Sequence, residues 1–256
     1  MSHRPRSLKH EYELYVEREI EDYKESLPRH VILSLGDEAV KSLAAQQQLA
    51  LTEILLCAEV DRIIRDRLRL PSYNTWRRRR LKALKEFCRP ERWGLNPNGA
   101  LARTASAASE GHVLVAGTHE EGPALYLAAN GCAVTALEPT EDVLERVLNA
   151  ATEVGLTGRI RGLVADLGSW APDTPLTAVV CAAAALASLS PDERSRTIAL
   201  LQNATAEGGV HMMETGADGE RLVPLEELEA SYDGWQISVE RGVTSMETFL
   251  ARKAVA

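Results

Sequence analysis

The sequence is poor in cysteine and has no long apolar run. Its four cysteines, Cys57, Cys88, Cys132 and Cys181, stand far apart and form no C-x-x-C pair. That spacing argues against a thiolate zinc site and against the dense disulfide framework of small secreted domains; no metal is expected. The longest uninterrupted apolar stretch, Ala178 to Ala187, is about half of the roughly 20 residues that a membrane-spanning helix needs. The opening segment MSHRPRSLKH is polar and basic with no apolar stretch behind it, unlike a secretory signal. These absences together predict a protein of the reducing cytoplasm with no membrane association. No internal repeat or low-complexity tract is present.

What is there is ordinary for a globular chain: 256 residues, 45% hydrophobic and 26% charged. Enough apolar surface exists to offset chain entropy, so disorder is excluded as the dominant state. One large or two modest domains are expected at this length. The formal net charge of −8 hides an asymmetry. Residues 1–110 hold 20 Lys and Arg against 16 Asp and Glu, whereas residues 111–256 hold 9 against 21. A mildly basic half precedes a strongly acidic one.

The first half reads as helices. Leu8, Tyr12, Tyr15, Ile20, Tyr23 and Leu27 recur near helical spacing until Pro28. Gly36-Asp37 offers a break followed by an N-cap. A second, long helix is expected from Val40 to Leu70, ended by Pro71, and a third from Trp76 to about Phe87, capped by Asn74-Thr75. Asn96-Pro97-Asn98-Gly99 is turn-forming, and Ala105 to Gly111 reads as a linker. After Gly111, short β-branched runs (HVLVAG, AVTAL, RIRGLVA, TAVVCAA, GVHMME) alternate with helical segments. That alternation predicts a parallel sheet with helices on both faces. Pro191-Asp192-Glu193 should open one of those helices and Gly208-Gly209 close it. Trp235–Arg241 and Thr244–Lys253 read as an antiparallel pair. The expected organisation is an α-helical region, 1–104, followed by an α/β domain, 105–256.

The run His112 to Gly122 carries the strongest chemical signal. It is a strand that ends in a tight turn at Gly117 and opens a helix, and Glu138 follows 21 residues after Gly117 at the end of the next strand. Such a turn presents free backbone N–H groups to a ligand. A carboxylate at that distance can accept from both ribose hydroxyls. Ligands of open parallel sheets bind beyond the strand C-termini, so Gly117, Glu138 and Asp166 can line one crevice.

On VLVAGTHEEGPALYLAANG, AVTALEP, VADLGSW and AVVCAAAALASLSPDERSRTIALLQNATAEGGVHMME, the chain from about Gly111 to Lys253 resembles the class I S-adenosylmethionine-dependent methyltransferases. The resemblance implies a Rossmann-like, mostly parallel sheet with an antiparallel C-terminal strand, preceded here by the helical region. It implies S-adenosylmethionine as cofactor, with Gly117, Thr118 and His119 at the glycine turn, Glu138 at the ribose, Asp166 with Leu167 at the adenine, and Cys181 beside them. The chain departs from the family pattern at three places. Val115 stands where an acid is usual, and His119 and Glu121 stand where glycines are usual. A side chain in such a turn costs roughly 1 kcal/mol or more wherever φ is positive.

Methyl transfer needs little beyond alignment of the acceptor, and no catalytic residue is assigned. After the fourth strand, Cys181-Ala182-Ala183-Ala184 offers no side-chain amide of the Asn-Pro-Pro-Tyr kind, which disfavours adenine or glutamine N-methylation. A small-molecule acceptor is the leading expectation, with the helical region and the segment between Thr215 and Asp233 covering the strand ends. His211 and Glu214 could present a base, or form a satisfied pair at a strand end. A non-catalytic scaffold or partner subunit of the same fold is the second reading. A nicotinamide or flavin site fits the outer glycines of G-x-H-x-x-G, but Glu120 and Glu121 would repel a pyrophosphate. The arginine run Arg77, Arg78, Arg79 and Arg80 allows an RNA-directed enzyme. Its alternative is pairing with the acidic half or the Glu-rich first helix, with Trp76, Leu81, Leu84 and Phe87 facing the core. Oligomeric state is left open.

Overall fold

The computed structural model describes residues 7–45, 53–108, 110–118, 120–215, 223–241 and 247–255. They fall into two compact units, Met1–Ala83 and Leu84–Ala256.

The first unit is helical. Helix α1 (Leu8–Ser26) starts where the Ser7 side chain accepts from the His10 N–H, as an N-cap serine should. Helix α2 (Arg29–Ala45) runs straight through Gly36-Asp37, where the sequence suggests a break. Leu35 and Ala39 flank the glycine and are fully buried. Their packing outweighs the roughly 1 kcal/mol that a mid-helix glycine costs. Helix α3 (Glu53–Arg67) occupies the second part of the expected 40–70 helix, and residues 46–52 lie outside the described set. Val16 and Ile20 of α1 pack with Leu35, Ala39, Ile63 and Ile64. Helix α4 (Tyr73–Phe87) begins three residues before Trp76. Trp76 stacks on Tyr15 with centroids 6.1 Å apart, and Arg80 lies 3.4 Å from the Glu11 carboxylate. Leu81 is exposed rather than in a core.

In the second unit, Ala105–Gly111 is no linker. Helix α5 (Ala100–Ala107) occupies its first part, and Ala100, Leu101, Ala105 and Ala108 are buried in the main core. A run of alanines looks like a spacer, yet small side chains let a helix lie close on a sheet. The strands β1 (His112–Ala116), β2 (Ala133–Glu138), β3 (Ile160–Val164), β4 (Leu176–Cys181), β5 (Thr205–Thr215), β6 (Gln236–Arg241) and β7 (Glu247–Arg252) form one sheet in the order β3-β2-β1-β4-β5-β7-β6. β1 to β5 are parallel, and β7 runs antiparallel to both β5 and β6. Residues 242–246, which include Gly242 of the expected hairpin, lie outside the described set.

Helices cover both faces, which is why the strands read as unbroken apolar runs. Val113 and Val115 of β1 face α5, α6 (Gly122–Ala129) and α7 (Glu141–Val154). Leu114 and Ala116 face α8 (Ala183–Ala187), α9 (Pro191–Ala204) and α10 (Leu225–Ser231). α9 opens as expected, with Ser190 and Glu193 forming a capping box around Pro191. It ends earlier than expected: the cap is Thr205, and Gly208-Gly209 lie inside β5. No helix among the described residues is long and apolar enough to cross a membrane.

His211 locks the far side of this core. It lies in the middle of β5 and is fully buried. Thr205 donates its hydroxyl to Leu201 O, so it accepts from His211 Nε2 at 2.7 Å, and Tyr232 donates to Nδ1 at 2.7 Å. Burial first, then the charge of Lys253, lowers the imidazole from 6.5 to about 3. The unfolded chain therefore takes up this proton near pH 6.5 and the folded one only near 3, so the contribution is complete above 6.5 and is lost as pH falls through that window. Unfolding in urea should show about 2 kcal/mol less stability at pH 5 than at pH 7 from this residue. The slope should vanish in His211→Gln; an equal slope in that variant would assign it elsewhere.

Candidate functional site

The strand order reverses direction between β1 and β4, and a crevice opens beyond the C-terminal ends of such neighbouring strands. Register brings the expected residues to this edge. Ala116 pairs with both Leu137 and Cys181, and Glu138 pairs with Val164. The first residues after β1, the last of β2 and β4, and those just after β3 therefore share one rim.

Gly117 turns the chain there. Its φ is +61°, its N–H donates to Leu137 O at 2.9 Å, and Ala182 N–H donates to Ala116 O at 3.0 Å. Both strands adjoining β1 are thus tied to the turn by backbone. A β-carbon on Gly117 would sit 2.7 Å from the Ala185 methyl group of α8. Two separate facts thus require glycine: the left-handed φ and the close approach.

Thr118 carries the turn to Glu138. The Thr118 N–H donates to Glu138 Oε1 at 3.2 Å, and the Thr118 hydroxyl lies 3.0 Å from Glu120 O. Glu138 is 1% exposed, a carboxylate buried at the end of β2. Leaving such a group without polar partners is costly, and the glycine turn supplies one.

Beyond β3, Ala165 N–H donates to Glu138 O at 3.1 Å, which holds Asp166 beside the ribose candidate. The Asp166 side chain is exposed, and its carbonyl accepts from the Ser169 N–H and hydroxyl. Leu167 is buried against the α8–α10 face of the sheet, as is Cys181 at the end of β4. His119 lies outside the described residues. The strain allowed for at Glu121 is absent: its φ of −75° is right-handed, and Arg146 Nε lies 3.8 Å from its carboxylate. Close approach falls instead on Gly122, where a β-carbon would meet Trp93 O at 2.7 Å. Val115 packs fully buried in the core under α5–α7, where an acid would be desolvated. His211 is not at a strand end and has both ring nitrogens engaged, so it presents no base to the crevice.

Three residues that shape the rim were not expected from the sequence: Ala185 on the Gly117 turn, and Arg194 with Glu227 behind α8. The alanine run hides the first. For Arg194 a signal exists, since it occupies the same helical stripe as Thr197, Ile198 and Leu201.

Gly117→Ala should destabilise the fold by roughly 2 to 4 kcal/mol, the sum of a left-handed β-carbon and an overpacked contact. Adding Ala185→Gly should return the packing part and leave the φ part. Equal urea midpoints for the single and double variants would refute the contact with Ala185.

No protein-family model matches the chain, and no curated protein matches it. Solved structures do. TehB from Haemophilus influenzae superposes with a TM-score of 0.52 at 17% identity, covering 64% of this chain and 65% of that one, so the chain spans just under two thirds of TehB. A candidate rRNA-methylase from Clostridium thermocellum gives 0.51 at 12% identity over 63% and 99%. An S-adenosylmethionine-dependent methyltransferase from Clostridium acetobutylicum gives 0.50 at 12% identity over 60% and 89%. The likeness is one of fold, and the fold is the Rossmann-like one of the class I methyltransferases.

Proposed function

We propose that the chain is an S-adenosylmethionine-dependent methyltransferase acting on a small-molecule acceptor in the cytoplasm. One observation carries the reading: the buried Glu138 carboxylate, at the end of β2, hydrogen-bonded to the N–H that follows the left-handed Gly117. A carboxylate at that place is an acceptor suited to a diol. The residues fit the cofactor in charge as well. A pyrophosphate would face Glu120 and Glu121 at the start of α6, whereas a sulfonium cation would not be repelled.

Bound here, S-adenosylmethionine supplies an electrophilic methyl group on a positively charged sulfur. The chain's own part is binding and orientation. Glu138 would accept from the ribose hydroxyls, the backbone at Gly117 and Thr118 would hold the cofactor at the turn, and Asp166 with Leu167 would hold the adenine; His119 and Cys181 complete the proposed set. Held geometry of this kind is itself a large part of the barrier reduction in a transfer reaction.

A small acceptor is favoured over RNA by charge. The half of the chain that carries the crevice holds 9 basic against 21 acidic residues, which repels a polyanion. Within the arginine run, Arg80 already pairs with Glu11. A non-catalytic relative is the competing reading, motivated by His119 and Glu121 standing where the family it resembles has glycines.

Titration calorimetry with S-adenosylhomocysteine decides between the two readings. The wild-type chain should bind it, and Glu138→Ala should weaken binding about tenfold or more, the usual worth of a hydrogen bond to a charged group. No heat at millimolar ligand would sink the enzyme reading. For RNA, filter binding against salt should give a flat or absent response; a steep loss of affinity with salt would restore the arginine-run reading.

A further inference from the structure

Arg194 is a charged side chain at a position where an apolar one would pack. On α9 it shares a buried face with Thr197, Ile198 and Leu201, and it is only 9% exposed. A guanidinium cannot shed its charge, so burial is tolerable only where acceptors surround it. Nε donates to Leu186 O at 3.1 Å, Nη2 to Leu189 O at 3.1 Å, and Nη1 to Glu227 Oε1 at 2.6 Å. The two carbonyls belong to the last turn of α8 and the loop after it; the carboxylate belongs to α10.

We propose that Arg194 is a positioning residue of the cofactor crevice: it pins α8 against the Gly117 turn and couples that contact to α10. The inference rests on reading the crevice as the cofactor site. α8 has five residues, too few to be stable as a helix by itself. Leu186 anchors it by burial, but an apolar anchor sets depth more than orientation. The planar fork of arginine holds two carbonyls and a carboxylate in fixed directions at once, which a lysine cannot do. Its hold reaches the turn through Ala185, which leaves no room for a β-carbon on Gly117. Thr118 follows that turn directly and its N–H donates to Glu138. Arg194 thus links α8 to α10 through one guanidinium.

The test compares Arg194→Lys and Glu227→Gln with wild type and with Asp173→Asn, whose exposed partner is Arg161. Two quantities are read: amide hydrogen exchange at Ser188 and Leu189, whose N–H groups bond Ala184 O and Leu186 O, and the Kd for S-adenosylhomocysteine. In both variants exchange at these two amides should accelerate about tenfold and Kd should rise about tenfold, with β4 amides unchanged. Asp173→Asn should change neither. Unchanged exchange at Ser188 and Leu189 overturns the proposal. So does acceleration spread evenly over α9 and β4 with Kd unaltered, because that marks a residue serving stability alone. Failure of wild type to bind removes the cofactor reading instead, and exchange then still decides whether Arg194 pins α8.

Discussion

The crevice depends on a missing β-carbon. With φ at +61° and Ala185 in the space where a side chain would start, Gly117 lets α8 close on the turn after β1. From that contact the rest of the rim follows in order. The Gly117 N–H reaches Leu137 O, the next N–H reaches Glu138, and the carbonyl of Glu138 takes Ala165 N–H beside Asp166. Ends of β1, β2 and β3 are therefore joined by two backbone links and one through the Glu138 carboxylate. Such links have little conformational entropy to lose, so a ligand placed on them meets a surface already in position.

Two buried basic side chains in the same layer meet the cost of burial in opposite ways. His211 gives up its charge: two hydroxyls satisfy a neutral ring, and its pKa falls to about 3. Arg194 keeps its charge and gathers acceptors around it. The chemistry dictates the difference, since imidazole titrates near neutrality and guanidinium does not. The first holds β5 to Tyr232 at the end of α10, and the second holds α10 to α8. Together they tie both ends of α10 to the sheet side that forms the rim.

Much of this layout was legible in the sequence, and the reason is double burial. β1, β2 and β4 bury both faces, so their apolar runs are continuous and their C-terminal ends fall at Gly117, Glu138 and Cys181 as expected. The misreadings share a cause. Local propensity misleads at Gly36, Gly208 and Ala105, each of which sits where tertiary packing decides: between Leu35 and Ala39, inside β5, and against the sheet core. Arg194 is hidden for the converse reason, because a charged residue reads as surface unless its helical stripe with Thr197, Ile198 and Leu201 is counted. The rim contact at Ala185 left no sequence signal, since a methyl group in an alanine run carries no mark of its neighbour.

Charge limits what the crevice can hold. The start of α6 has the partial positive charge of any helix N-terminus, which ordinarily draws a phosphate. Here Glu121 stands at its cap, Glu120 precedes it, and Glu138 and Asp166 lie at the neighbouring strand ends. Arg146 offsets Glu121 only across 3.8 Å between exposed groups, a pairing of small energy. Carboxylates at this rim oppose the dipole, which disfavours a phosphate-bearing ligand. A ligand with hydroxyl donors at one end and a cation further along meets the same groups with the opposite sign. The acidity that first marks this half of the chain as unlike the other is thus, under the proposed function, what disfavours a nucleotide with phosphates at the rim.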